Sequence, residues 1–142
     1  MQSGLGPGDT APRVLVCDDT EPIRSLLRIN LELAGFAVEE AADGHEAMAR
    51  LIDPELPPPD VIVLDSEMAP YDGWWAIAAI RSHHRLDTVP VVLVTGSVVT
   101  HDAPEAGDAG FDAFVSKPFD PDYLVEVIGG FMAEGRSHQP AP

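Results

Sequence analysis

An α/β fold, with a parallel sheet between two helical layers, is predicted by three features of this 142-residue chain. First, short apolar runs rich in Val, Ile and Leu recur: VLVCDD (14–19), VIVLD (61–65), VVLVTG (91–96) and FVSKPF (114–119). Runs that stay apolar instead of alternating fit strands buried on both faces of a parallel sheet. Second, segments with helical spacing separate these runs, the alternation that yields three layers. Third, each run ends on polar chemistry: two acids, one acid, a hydroxyl and a lysine. Open α/β sheets bind ligands beyond the carboxyl ends of their strands, so all four ends would converge on one edge.

The elements follow in order. Residues 1–12 are rich in Gly, Pro and Ser without periodicity, and they read as a flexible N-terminal arm. The first strand is expected over 13–17. Asp18-Asp19-Thr20-Glu21-Pro22 then opens a helix, with Thr20 or Glu21 near the cap and Pro22 in the first turn, where a missing N–H is tolerated. Ile23, Leu26, Leu27, Leu31 and Ala34 share one helical face, and Gly35 ends the helix. A short second strand covers 36–41. Asp43-Gly44 leads into a second helix with Ala47, Met48, Leu51 and Ile52 at helical spacing, and four prolines make 53–60 a loop.

The third strand is placed at 61–64, a loop at 66–73, and a third helix carries Trp74, Ile77 and Ile80. The fourth strand is placed at 89–94. Residues 96–110 hold Pro104, Gly107 and several acids, so a fourth helix there is short or irregular. A fifth strand spans 113–116. Asp120-Pro121 begins a last helix with Tyr123, Leu124, Val127 and Ile128 inward, fraying at Gly129-Gly130. Five strands and about five helices give one folded unit, 13–132, followed by a flexible C-terminal tail, 133–142.

Composition narrows the function. Twenty-four acids against eight Lys and Arg give a net charge of −16, which opposes nucleic acid and anionic membranes alike. Cations and basic or apolar protein surfaces are the expected partners. No run approaches the roughly 18–20 apolar residues of a membrane span. The N-terminal residues have neither a basic region nor an apolar segment, so they do not read as a signal peptide. A cytoplasmic setting is expected, and the single Cys17 reads as a small buried apolar residue.

The strand ends carry the chemistry. Two carboxylates about 4 Å apart repel by roughly 4 kcal/mol at an effective dielectric of about 20. Asp18, Asp19 and Asp65 together therefore call for protons or a cation, and hard oxygen ligands in an open cleft suit Mg²⁺. The alternative for the acids alone is a solvated rim; for Lys117 alone it is a salt bridge. Taken with Thr95, Lys117 completes the parts for phosphoryl transfer to a carboxylate: charge neutralisation, a hydroxyl donor, and Asp65 to attack in line. Gly96 leaves room for the incoming group.

The set Asp18-Asp19, Asp65, Thr95 and Lys117-Pro118-Phe119 closely resembles the receiver domain of two-component response regulators. The likeness covers about 13–132 and includes Asp72-Gly73 and the segment Ala109-Gly110-Phe111-Asp112-Ala113-Phe114. It implies a flavodoxin-like sandwich with a five-stranded parallel sheet in the order 2-1-3-4-5. It further implies that Asp65 takes a phosphoryl group from a sensor histidine kinase or phosphotransfer protein. Asp18, Asp19, Asp65 and the main-chain carbonyl of Glu67 would hold Mg²⁺. Thr95 and Phe114 would form the conformational switch, Lys117-Pro118 would be a cis peptide, and a downstream protein target would read the switched state.

Three departures from the family pattern stand out. Ala69-Pro70 occupies the place of the usual Pro-Gly, Glu67 sets a carboxylate beside the site, and Pro104 and Gly107 interrupt the fourth-helix region. The receiver is expected to be a stand-alone regulator, a relay intermediate or a piece of a longer protein. Two other readings compete with a phosphoacceptor. One is a receiver-like interaction module that works without phosphorylation. The other is an aspartate-nucleophile phosphatase of the haloacid-dehalogenase type, which wants Asp-x-Asp after the first strand where this chain has adjacent acids. Among the remaining features, Trp74 reads as core and Trp75 as outward. Arg81, His83, His84 and Arg85 read as cations suited to a helix end.

Overall fold

The computed structural model describes residues 11–96 and 107–140. Five strands form one parallel sheet: β1 (Arg13–Cys17), β2 (Ala37–Ala41), β3 (Val61–Asp65), β4 (Val91–Thr95) and β5 (Ala113–Ser116). Their spatial order is β2-β1-β3-β4-β5, the order implied by the resemblance. The α-helices are α1 (Glu21–Leu33), α2 (Gly44–Leu51), α3 (Gly73–Arg81) and α4 (Pro121–Glu134). Short 3₁₀ turns at His84–Leu86 and Gly135–Ser137 follow α3 and α4. The expected irregular fourth helix falls mainly on 97–106, outside the described residues; residues 107–109 are helical. The N-terminal arm likewise lies outside them up to residue 10.

Alternation along the strands sorts the core into two layers. Leu15, Cys17, Ile62, Leu64, Val91 and Leu93 face α2 and α3, while Val14, Val16, Val61, Val63, Val92, Val94 and Val115 face α1 and α4. β3 and β4 are buried along their whole length, which is why their sequences show no polar alternation. Helix starts follow local chemistry. Asp43 and Asp72 cap α2 and α3 by accepting the N–H groups of Glu46 and Trp75, and Asp120 accepts from Asp122 ahead of Pro121. Edge strand β2 is held by ion pairs. Glu39 meets Arg50 of α2 at 2.7 Å and Arg13 of β1 at 3.7 Å; Glu40 meets Arg24 at 3.2 Å and Arg28, both of α1.

Several boundaries differ from expectation. β4 begins at Val91 because Pro90 has no N–H to give a ladder; its carbonyl instead accepts from Ile62 at 3.0 Å. Leu26 is 42% exposed, not inward. It lies about 100° round the helix from buried Leu27, outside the narrow stripe that the sheet covers. α4 does not fray at Gly129-Gly130 but runs on to Glu134, carried by buried Ile128 and Phe131 on either side. The segment beyond it, expected as a free tail, packs back: Arg136 reaches Asp112 at 2.8 Å and the His138 ring meets Phe131 edge-on at 5.1 Å. Arg81 is a cation of the last helical turn, as expected, and it also bonds the carbonyls of Leu86 and Gly110 and the carboxylate of Asp112. No helix among the described residues is long and apolar enough to cross a membrane.

Candidate phosphoryl and metal site

The carboxyl edge of the sheet gathers the residues that the sequence singled out. Asp18 follows β1, Asp65 closes β3, Thr95 closes β4 and Lys117 follows β5. Asp18 is fixed by its own surroundings. Its N–H donates to Ala41 at 3.1 Å, its Oδ1 accepts the Thr20 N–H at 2.8 Å, and its carbonyl accepts from Arg24 at 2.6 Å. Lys117 is placed by its N–H donating to the Thr95 carbonyl at 2.7 Å, and the Lys117-Pro118 peptide is cis, as is Ala69-Pro70. Its Nζ then lies 3.2 Å from Asp65 Oδ2 and 3.4 Å from Asp18 Oδ2.

Asp18 and Asp65 are almost fully buried, whereas Asp19 is exposed, and one oxygen from each of the three lies within 4.8 Å of the others. Burial, followed by the Asp18 charge, raises the Asp65 pKa above the usual carboxylate range; the Glu67 N–H and Lys117 oppose this and lose. Burial alone would lower Lys117, yet Asp65 and then Asp18 raise it above the ordinary lysine value. Lys117 therefore stays charged, while its single ammonium leaves the carboxylates under-neutralised. Three convergent hard oxygens, two of them desolvated, fit a small divalent cation such as Mg²⁺.

Backbone packing leaves little freedom around Asp65. A Cβ on Gly73 would sit 2.5 Å from the Asp65 carbonyl oxygen, so glycine lets the start of α3 press against the end of β3. Asp65 Oδ1 accepts the Glu67 N–H at 3.2 Å, while the Glu67 side chain is exposed. A shallow depression lined by Asp19, Ser66, Glu67, Met68, Ala69 and Asp72 opens beside the carboxylates. Depressions at the start of β1 and β2 and between α4 and residues 138–140 do not contain the three acids.

Three comparisons agree with this geometry. The family model described as "Response regulator receiver domain" matches residues 14–129. The chain belongs to the response-regulator receiver domain family. It is 37% identical over 129 residues to the transcriptional regulatory protein PrrA of Mycobacterium tuberculosis, covering 91% of this chain and 52% of PrrA. It is 33% identical over 121 residues to the DNA-binding dual master transcriptional regulator RpaA of Synechocystis, covering 85% of this chain and 49% of RpaA. The receiver thus spans about half the length of these curated relatives. Among solved structures, the chemotaxis response regulator CheY4 of Vibrio cholerae matches with a TM-score of 0.77 at 30% identity, over 84% of this chain and 98% of CheY4. The Francisella response regulator 1452 receiver domain matches at 0.78 with 29% identity, over 87% and 98%.

Within this receiver, the structure brings Asp18, Asp19, Asp65 and Lys117 together, with Thr95 buried at the neighbouring strand end. Phe114 is part-buried in β5 and packs against the layer containing Leu93. Trp74 meets Phe111 edge-on at 5.5 Å, and Trp75 is 40% exposed against Tyr71, matching their inward and outward readings. Cys17 is buried with its thiol 3.1 Å from the Asp43 carbonyl and 3.3 Å from Met68 Sδ. Burial first, and then the Asp43 and Asp18 charges, push its pKa far above the usual range and keep it protonated. The sequence reading missed Ser66, assigned there only to a loop. Its hydroxyl is buried and donates to Thr95 Oγ1 at 3.0 Å. The available signal was a hydroxyl directly after the acid that ends a wholly apolar strand.

Proposed function

We propose that Asp65 of this receiver accepts a phosphoryl group from a phosphohistidine on a sensor kinase or phosphotransfer protein, in a Mg²⁺-dependent reaction. The observation that carries this reading is the meeting of Asp65 with Asp18 and Lys117 beside Asp19. An Asp65 oxygen attacks phosphorus, the P–N bond breaks, and its electron pair stays with the donor nitrogen. Asp18, Asp19, Asp65 and the Glu67 carbonyl would hold the ion, which supplies positive charge against the phosphoryl oxygens. Lys117 would neutralise further charge, and the Thr95 hydroxyl would donate to a phosphoryl oxygen. Movement of Thr95 on phosphorylation, followed by Phe114 turning inward, would change the surface that a downstream protein reads. The protein would act as a switch, with only self-phosphorylation and autodephosphorylation as chemistry.

Incubation with Mg²⁺ and acetyl phosphate, followed by intact-mass measurement, tests this. One added phosphoryl group is expected on the wild type, none on Asp65→Asn, and none after chelation of divalent ions. An unlabelled wild type, or equal labelling of Asp65→Asn, overturns the reading. Sustained turnover of a phosphomonoester would instead favour the phosphatase.

A further inference from the structure

The side chain immediately after the proposed acceptor has no role in the scheme above, yet it is buried against a residue that does. Ser66 is 7% exposed and Thr95 is 2% exposed. The Ser66 N–H donates to the Val94 carbonyl at 2.9 Å, which continues the β3–β4 ladder one step beyond the Asp65–Val94 pair. That register sets Ser66 opposite Thr95, and its Oγ donates to Thr95 Oγ1 at 3.0 Å. We propose that Ser66 is a positioning residue for phosphorylation, holding the Thr95 hydroxyl at the acceptor edge through this bond. The inference rests on the reading of Asp65 as phosphoacceptor.

A hydroxyl donates once and accepts twice. Thr95 can therefore keep the Ser66 contact as an acceptor while its own proton turns to a phosphoryl oxygen. A bond accepted by a hydroxyl also polarises it as a donor. Ser66 thus restricts the Thr95 rotamer, and strengthens its hydroxyl when it donates, without touching the phosphoryl group itself. The backbone of Ser66 is anchored to Val94 from the same strand as Thr95, so the two hydroxyls move with one ladder.

The experiment compares the wild type, Ser66→Ala, Ser66→Cys, Ser66→Thr, Thr95→Ala and the Ser66→Ala/Thr95→Ala double variant. The initial rate of phosphoryl incorporation from acetyl phosphate is measured at several Mg²⁺ concentrations. The Thr95 χ1 couplings are measured by NMR in metal-free protein. Ser66→Ala is expected to slow incorporation about three- to tenfold, the kinetic equivalent of one neutral hydrogen bond. It should leave the Mg²⁺ half-saturation unchanged and average the Thr95 couplings. Ser66→Cys fills the same space with a weaker donor and should also be slowed, whereas Ser66→Thr keeps the hydroxyl and most of the rate. In the Thr95→Ala background, Ser66→Ala should have no further effect.

A wild-type rate in Ser66→Ala or Ser66→Cys overturns the proposal, as does equal slowing with and without Thr95. If no protein, wild type included, takes up phosphoryl, the Asp65 reading fails. The Thr95 couplings then still decide whether Ser66 positions that side chain, and unchanged couplings in Ser66→Ala overturn it.

Discussion

Asp65 is held in a compromise between chemistry and stability. Its folded-state pKa is raised by burial and by Asp18, so the folded protein binds a proton there more tightly than the unfolded chain. Stability contributed by this site is therefore present at low pH and is lost as pH rises through the folded value. Asp65→Asn is expected to raise the unfolding midpoint in urea at pH 7 without divalent ions, and to lose that advantage near pH 4. Saturating Mg²⁺ should reverse the order, because only the wild type keeps all three carboxylates. Gly73 is constrained by space instead of charge. Gly73→Ala would drive a methyl into the Asp65 carbonyl and should cost about 1–3 kcal/mol in chemical denaturation. It should slow phosphorylation as well. The acids, Thr95 and Lys117 were readable because each terminates an apolar run. Ser66 was not, because its partner is set by pairing between strands 29 positions apart.

At the level of elements, the sheet could be read from its wholly apolar runs, and the helices from capping acids and apolar spacing. What eluded the sequence were features decided by neighbours. α4 passes through two glycines because its apolar face is gripped on both sides of them. Nothing approaches a Cβ built on Gly129, so Gly129→Ala should stabilise the protein by about 0.5–1 kcal/mol, seen as a higher thermal midpoint. Gly130 differs, because a Cβ there would meet the His138 ring, so the same change would displace the segment packed on Phe131. Arg81 ends its helix as expected, but its partners are likewise set by distant neighbours. Asp112, just before β5 and with its carboxylate largely covered, accepts from Arg81 at 3.0 Å, Arg136 at 2.8 Å and the Val91 N–H at 2.9 Å. It ties α3, β4 and the segment after α4 into one knot. Asp112→Ala leaves a partly buried guanidinium without its carboxylate and should cost about 3–5 kcal/mol in urea unfolding.

Across the whole molecule, a net charge of −16 makes self-repulsion a global term that no single contact reveals. Raising ionic strength from about 0.01 to 0.3 M shortens the screening length and should raise the thermal midpoint; an unchanged or lower midpoint would show that specific ion pairs outweigh the repulsion. The same charge is not spread evenly, as β2 illustrates. A sheet that ends on an unpaired strand offers its backbone to any other chain able to extend it, the first step towards fibrous stacking. Here that strand carries Glu39 and Glu40, each locked by arginines from a neighbouring helix or strand. An incoming copy would have to set its own glutamates beside these before gaining a single backbone bond. The arginine clasp that stabilises one fold thereby also discourages the polymer.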